Sequence, residues 1–215
     1  ATLNLPAYAG GGQIVVTRNA AGYTGYKVGI ILTFEDNDSN INNSYLLTNE
    51  ATGLIDFKGQ KSIGIQVYAP GSSNVPARVL NQGTISMGGI ESYGLKLSSR
   101  VSDENMTFSN MSGRTINISG SNGNNDSLSS GMAVLEDSTM NTAASAIRAY
   151  TGKVTNAGTI NVSGVRGNTG MVLKVDAADD ITNTATGNIN VSGSYNIGMR
   201  VDRGTVTTGA SGAPQ

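Results

Sequence analysis

The stretch that decides the fold is Gly158-Thr159-Ile160-Asn161-Val162-Ser163-Gly164, which returns almost unchanged as Gly187-Asn188-Ile189-Asn190-Val191-Ser192-Gly193. Weaker copies begin earlier in the chain, at Gly53, Gly83 and Gly113. Within each copy apolar and polar residues alternate, and a period of two predicts a short β-strand with one buried face. Because the copies recur about every 30 residues, except where an insertion lengthens one unit, we predict a repeat protein.

Two further segment types accompany each copy. One begins with glycine, and its copies are Gly64-Ile65-Gln66-Val67, Gly94-Leu95-Lys96-Leu97, Gly131-Met132-Ala133-Val134, Gly170-Met171-Val172-Leu173 and Gly198-Met199-Arg200-Val201. The other ends in asparagine, and its copies are Leu47-Thr48-Asn49, Val79-Leu80-Asn81, Phe108-Ser109-Asn110, Val154-Thr155-Asn156 and Ile181-Thr182-Asn183. Such repeats predict an all-β protein, a right-handed parallel β-helix (β-solenoid) with about three short strands per coil. Its inward Ile, Val, Leu and Met side chains are expected to stack into one continuous core.

The repeat divides the chain into two parts. We expect residues 53–215 to form regular coils and residues 1–52, where the pattern is looser, to form one irregular N-terminal coil of the same solenoid. The stretch from Thr205 to Gly212 looks like the third strand of a further unit. The chain is therefore expected to be cut from a longer protein whose continuation covers both solenoid ends, because an open end exposes strand edges and core.

Glycine and asparagine have predicted roles at the corners of the coil. Glycine before a strand is expected to supply the positive φ that a tight corner requires. The asparagines that close the units are predicted to stack into a ladder of side-chain amides, and these residues are Asn49, Asn81, Asn110, Asn156 and Asn183. The alternative is that they only decorate turns that face solvent. On the outward side of one strand, Asn117, Asn161 and Asn190 are expected to form a flat polar column.

Composition excludes several functions. The chain has no His and no Cys, so it contains no Ser-His-Asp or Cys-His relay and no zinc site of the usual type. Its formal net charge of -1 provides no basic field to attract nucleic acid. Its apolar runs are far shorter than the ~20 residues that span a bilayer, so we expect no direct membrane insertion. We predict a protein that is not an enzyme and has no catalytic residues, cofactor or resident metal.

The strand motifs and their Asn-x-Gly corners resemble the passenger regions of type V autotransporters of Gram-negative bacteria. The resemblance implies a surface-displayed adhesin that mediates host-cell attachment or cell-cell aggregation, and a location at the bacterial cell surface or outside the cell. The implied partners are a host-cell protein or glycan receptor, or other copies of the same chain. The export signal and the C-terminal membrane barrel of that family are missing, so the resemblance implies an internal passenger fragment.

Contacts with a partner are expected in loops and on flat polar flanks. The candidate residues come from the insertion at 121–130 and from the stretch at 137–151: Ser121, Asn122, Asn124, Asn125, Asp126, Asp137 and Tyr150. Tyr93 and Tyr195 are also expected in turns or inserts, where a ring serves either an interface or the edge of the core. A weakly charged flank also suits pairing between copies.

Two other functions stay open at this point. A carbohydrate-active β-helix enzyme, a polysaccharide lyase or hydrolase, would need paired acids, and Asp176 and Asp202 could align on adjacent coils with Lys174 beside Arg200. The absence of Trp argues against a sugar-gripping cleft. A passive stalk or spacer is the other alternative.

A cation site is a weak candidate near the N-terminus. Asp36, Asp38 and Asn40 imitate the first ligands of a calcium loop, but Ile41 and Leu47 stand where that loop needs Gly and Glu. We therefore expect a solvated loop at this stretch.

Overall fold

The fold is seen in a computed structural model, which describes residues 2–4, 13–16, 27–33, 45–69, 77–99, 106–121, 128–135, 153–174, 181–203 and 206–208. In this part of the chain every regular element is a β-strand, and no helix is present. The strands, numbered along the chain, form three sheets of seven, six and six members.

Each sheet collects one strand from every coil. Sheet A contains β1 (Thr2–Asn4), β4 (Tyr45–Asn49), β7 (Ala77–Asn81), β10 (Met106–Asn110), β13 (Lys153–Asn156), β16 (Ile181–Asn183) and β19 (Val206–Thr208). Sheet B contains β2 (Gln13–Val16), β5 (Leu54–Phe57), β8 (Thr84–Met87), β11 (Thr115–Ile118), β14 (Thr159–Val162) and β17 (Asn188–Val191). Sheet C contains β3 (Lys27–Thr33), β6 (Ser62–Ala69), β9 (Tyr93–Ser99), β12 (Ser130–Leu135), β15 (Thr169–Lys174) and β18 (Ile197–Arg203).

Every strand pairs in parallel with its equivalent in the next coil. In sheet B, Ile116 is the register partner of Ile160, and Ile160 is the register partner of Ile189. Equivalent residues of successive coils therefore lie above one another, as the sequence repeat requires. The prediction of an all-β parallel solenoid with three strands per coil is confirmed.

The N-terminal part of the chain contributes to the same sheets. Strands β1, β2 and β3 pair in parallel with β4, β5 and β6, so they form the first coil. The second coil begins with β4, and residue 53 therefore lies between the first two strands of that coil.

Alternation of side chains produces the core. In β5, β8, β11 and β14 the second and fourth residues are buried and the first and third are partly exposed. Ile55, Ile85, Ile116 and Ile160 are all completely inaccessible to solvent, one above the other. Burying an aliphatic side chain of this size stabilises the fold by about 1.5–3 kcal/mol. The described coils therefore share one apolar interior.

The glycines that open the strand motifs have a different role from the expected one. Among the described residues of this kind only Gly113 has a positive φ, of 73°. At Gly94, a Cβ atom would lie 2.6 Å from the carbonyl oxygen of Gly131 and 3.0 Å from Cγ2 of Ile116. The prediction of positive φ was wrong for most of these glycines, because they permit close contact between coils and not a tight turn.

Candidate interaction surfaces

The asparagines that close the units form a continuous ladder inside the solenoid. Its members are Asn49, Asn81, Asn110, Asn156 and Asn183, and Nδ2 of each of the first four donates a 2.8 Å hydrogen bond to Oδ1 of its equivalent in the next coil. The first four are completely buried. The predicted ladder is therefore present, and the alternative of asparagines that decorate solvent-facing turns does not describe these buried side chains.

The ladder also satisfies backbone carbonyls at the corner between sheets A and B. Nδ2 of Asn110 lies 3.3 Å from the Thr159 oxygen, and Nδ2 of Asn183 lies 3.0 Å from the Gly187 oxygen. At the other end, Oδ1 of Asn49 is buried and has no hydrogen-bond partner in the described part of the chain. These amides bond to one another and to the backbone, so the ladder holds coils together and offers little to a ligand.

A second polar column lies at the corner between sheets B and C, buried at every member except the partly exposed Asn196, and it was not predicted from the sequence. Its members are Ser62, Ser92, Ser129, Asn168 and Asn196. The backbone N–H of Ser62 donates to Oγ of Ser92 at 3.2 Å, and that of Ser92 donates to Oγ of Ser129 at 3.0 Å. Asn168 N–H likewise donates to Oδ1 of Asn196 at 3.1 Å. The available signal was position, because each residue stands two places before a glycine of sheet C.

The outward face of sheet B carries an uncharged polar column, as expected. Nδ2 of Asn190 donates to Oδ1 of Asn161 at 2.9 Å, and Nδ2 of Asn161 donates to Oδ1 of Asn117 at the same distance. Asn117 continues the column by donating to Oγ of Ser86 at 3.1 Å. In the second coil the same position is Asp56, which forms an ion pair of 2.7 Å with Lys58.

A row of hydroxyls lies beside this column. Thr84, Thr115 and Thr159 are register partners, and each is partly exposed. Hydroxyl and amide groups therefore repeat at the strand spacing of about 4.8 Å across a face with few charges. We call the two rows together the sheet B face; it consists of Thr84, Ser86, Thr115, Asn117, Thr159, Asn161, Asn188 and Asn190.

A strained ridge runs along the corner between sheets B and C. The non-glycine residues with positive φ in the described chain are Lys61 (52°), Glu91 (49°), Leu128 (53°) and Tyr195 (60°). Each stands directly before a member of the second polar column, and in the fifth coil Gly167 (71°) has this place. The left-handed conformation costs a residue with a Cβ atom roughly 1–2 kcal/mol. Large side chains therefore stand where glycine would be less strained.

The side chains on this line point outward. Tyr195 is 76% exposed and Leu128 is 56% exposed. Nζ of Lys61 lies 3.6 Å from Oε2 of Glu91, and the Arg166 guanidinium lies 4.9 Å from the centroid of the Tyr195 ring. In the fifth coil the side chain comes from Arg166, one place before Gly167. We call Lys61, Glu91, Leu128, Arg166 and Tyr195 the corner ridge.

Lys27 of the first coil lies next to the end of the ridge that Lys61 forms. Nζ of Lys27 donates to the carbonyl oxygen of Gln60 at 2.9 Å, and desolvation lowers the pKa of this amine. This contact joins the first coil to the second at the corner between sheets B and C.

Several predicted contact residues lie outside the described residues: Asn122, Asn124, Asn125, Asp126, Asp137 and Tyr150, together with Asp36 and Asp38. Ser121 is described and is exposed. Of the tyrosines expected in turns or inserts, Tyr195 lies in a turn, whereas Tyr93 begins strand β9 and is partly buried. The prediction for Tyr93 was wrong because its strand starts one residue before the glycine.

The expected alignment of Lys174 with Arg200 is also wrong. Met171 is the register partner of Met199, so Arg200 lies beside Val172. Lys174 pairs with Arg203, because the register shifts after Leu173. In this register Arg200 therefore lies opposite a residue two positions before Lys174. Asp176 lies outside the described residues.

The described residues provide little for other chemistry. No three acidic side chains among them come together as a metal site. In the same residues, no helix long and apolar enough to cross a membrane occurs. No family model matches the chain, and no curated protein and no solved structure shows significant similarity to it.

Proposed function

We propose that this chain is a segment of a surface-displayed bacterial adhesin, and that the sheet B face is its contact surface. The observation that carries the proposal is the hydrogen-bonded column Asn190, Asn161, Asn117 and Ser86. It repeats side-chain amides, with a hydroxyl at one end, along the stacked strands of sheet B.

The column can bond to a partner without losing its own order. An asparagine amide has two N–H donors and an oxygen with two lone pairs. The bonds of Asn161 within the column use one donor and one lone pair. The remaining capacity suits the hydroxyl and amide groups of a glycan or of a protein surface. Many modest hydrogen bonds of this kind add up over a long face.

The solenoid supports display of such a face. The buried ladder and the apolar core connect every described coil from the second to the sixth. A stack of coils at about 4.8 Å spacing is a rod whose outward rows keep a constant separation. The resemblance of the repeats to autotransporter passengers supports a location at the bacterial surface, with a host-cell receptor or another copy as the partner.

The alternative functions have less support. A carbohydrate-active enzyme would need paired acids, for which Asp176 and Asp202 are the candidates, and Asp176 lies outside the described residues. The basic residues expected beside that pair, Lys174 and Arg200, are not aligned by the register of β15 with β18. A passive spacer needs no ordered outward column, whereas the sheet B face has one.

The test is to place positive charge on the face. The chain is displayed on a non-adherent bacterium, and attachment to host cells and aggregation of the bacteria are measured separately. Asn161→Lys combined with Asn190→Lys should abolish attachment or aggregation. The matched control is Gln66→Lys, on the outward side of β6 between the buried Ile65 and Val67. Equal activity of the face variant and the control would contradict the proposal and favour a spacer.

A further inference from the structure

The stability of the solenoid does not explain the corner ridge, because Leu128 and Tyr195 are exposed and four of the five ridge residues have a strained backbone conformation. We propose that this ridge pairs with the same ridge of a second copy, antiparallel, about a two-fold axis near Leu128. This pairing uses a different surface from the sheet B face and goes beyond the proposed function.

The order of the residues along the ridge carries the inference. Lys61 belongs to the second coil, Glu91 to the third, Leu128 to the fourth, Arg166 to the fifth and Tyr195 to the sixth. Successive coils are about 4.8 Å apart. A two-fold axis through the fourth coil therefore places the second coil opposite the sixth and the third opposite the fifth. In an interface of this type each contact occurs twice.

The facing residues are complementary at each level. Glu91 of one copy faces Arg166 of the other, which joins a carboxylate to a guanidinium. Lys61 faces Tyr195, whose ring is contacted by Arg166 of its own chain and is 76% exposed. An ammonium group can therefore approach the ring as a second cation–π partner. Leu128, which is 56% exposed, meets its own equivalent at the axis.

The alternative orientation is not complementary. In a parallel pairing in register, Lys61 would meet Lys61, Glu91 would meet Glu91 and Arg166 would meet Arg166. Like charges that face each other oppose association. The sequence of charges along the ridge thus favours a second copy in the antiparallel direction over a second copy in the parallel one.

The contact is small, so the pairing is weak in solution. A ridge that spans four coil spacings is about 19 Å long. Interfaces below the standard size are typical of transient contacts, so we expect the free chain to pair only at high concentration. Many copies on one surface would raise the effective affinity, because each contact increases the local concentration for the next.

Charge reversal on both sides provides the sharpest test. Sedimentation of the full chain is measured over a range of concentrations for Glu91→Arg, for Arg166→Glu and for an equimolar mixture of the two. Each single variant should weaken pairing about tenfold or more, because like charges then meet twice. The mixture should pair as the parent chain does, because both facing pairs are opposite again. The control is Arg78→Glu, an exposed residue of sheet A, which should leave pairing unchanged.

A second set of variants separates pairing from folding. Leu128→Gly and Tyr195→Gly remove ridge side chains at residues with positive φ, so the solenoid should keep its melting temperature. Their pairing should be weakened. Single charge variants that pair like the parent, or a mixture that does not recover, would overturn the inference. The variant Asn161→Lys with Asn190→Lys should pair normally, so failure of the adhesin proposal and failure of this one are distinguishable.

Discussion

Removal of one amide from the middle of the ladder should destabilise the whole solenoid. Asn110 accepts from Nδ2 of Asn81 and donates to Oδ1 of Asn156, both at 2.8 Å, and it is completely buried. Asn110→Ala leaves those two polar atoms without these partners. A buried polar atom that loses its partner costs about 1–3 kcal/mol.

The expected loss in the free energy of unfolding is therefore about 2–6 kcal/mol. For a chain of 215 residues, 1 kcal/mol corresponds to roughly 2–4 °C, so the melting temperature should fall by about 10 °C. Circular dichroism during thermal and urea unfolding measures both quantities.

Two control variants show how large this loss in the free energy of unfolding is compared with other positions. Asn183→Ala, at the end of the ladder, leaves only the Asn156 amide without its ladder partner and should cost about half as much. Asn161→Ala, in the outward column, exposes its former partners to water and should cost about 0.5 kcal/mol or less. A loss below about 1 kcal/mol for Asn110→Ala, or equal losses for Asn110→Ala and Asn161→Ala, would refute this reasoning.

Other expected outcomes concern the asparagine ladder and the glycines that open the strand motifs. Asn110→Asp should be more stable at low pH than at neutral pH. Burial raises the pKa of the new carboxyl above its usual value of about 3.9, and only the protonated carboxyl can donate to Asn156. A free energy of unfolding that does not change between pH 4 and 7 would contradict this. Gly94→Ala should lower the melting temperature strongly, because its Cβ would lie 2.6 Å from the backbone oxygen of Gly131, whereas Gly113→Ala, with open space around it, should cost only about 1–2 kcal/mol for its positive φ. Chemical denaturation compares the two, and similar losses would show that coil spacing does not limit the site.

Much of the fold could be predicted because each coil repeats the same sequence pattern. Alternation in Thr159–Val162 and its copies defines a strand and its buried face, and recurrence of Asn in the same phase defines the ladder. Both are local features of the sequence that stacking then multiplies. The repeated isoleucine of sheet B is buried wherever the described chain shows it in the second to fifth coils.

The roles of the glycines could not be read from the sequence. Gly94 has no side chain because the backbone of the next coil passes within contact distance, and that neighbour is about 37 residues away in the chain. The sequence around Gly94 predicts a turn, because glycine occurs most often in turns.

The corner ridge could not be predicted from the sequence, for a related reason. Lys, Glu, Leu and Tyr are not residues that indicate a left-handed conformation, so Leu128 and its equivalents gave no turn signal. Each of them stands directly before a member of the second polar column. The register shift after Leu173 likewise has no sequence signal, and it places Lys174 beside Arg203.

The parallel, in-register stacking of coils can be measured directly with an engineered disulfide, since the chain has no cysteine of its own. Thr115 and Thr159 are register partners in sheet B, so Thr115→Cys with Thr159→Cys should place Cα atoms about 4.8 Å apart and cross-link rapidly on oxidation. Thr115→Cys with Asn161→Cys is two residues out of register, at about 8 Å, and should not cross-link. Mass spectrometry of the oxidised chain detects the bond. Cross-linking of the second pair and not of the first would contradict the stacked solenoid.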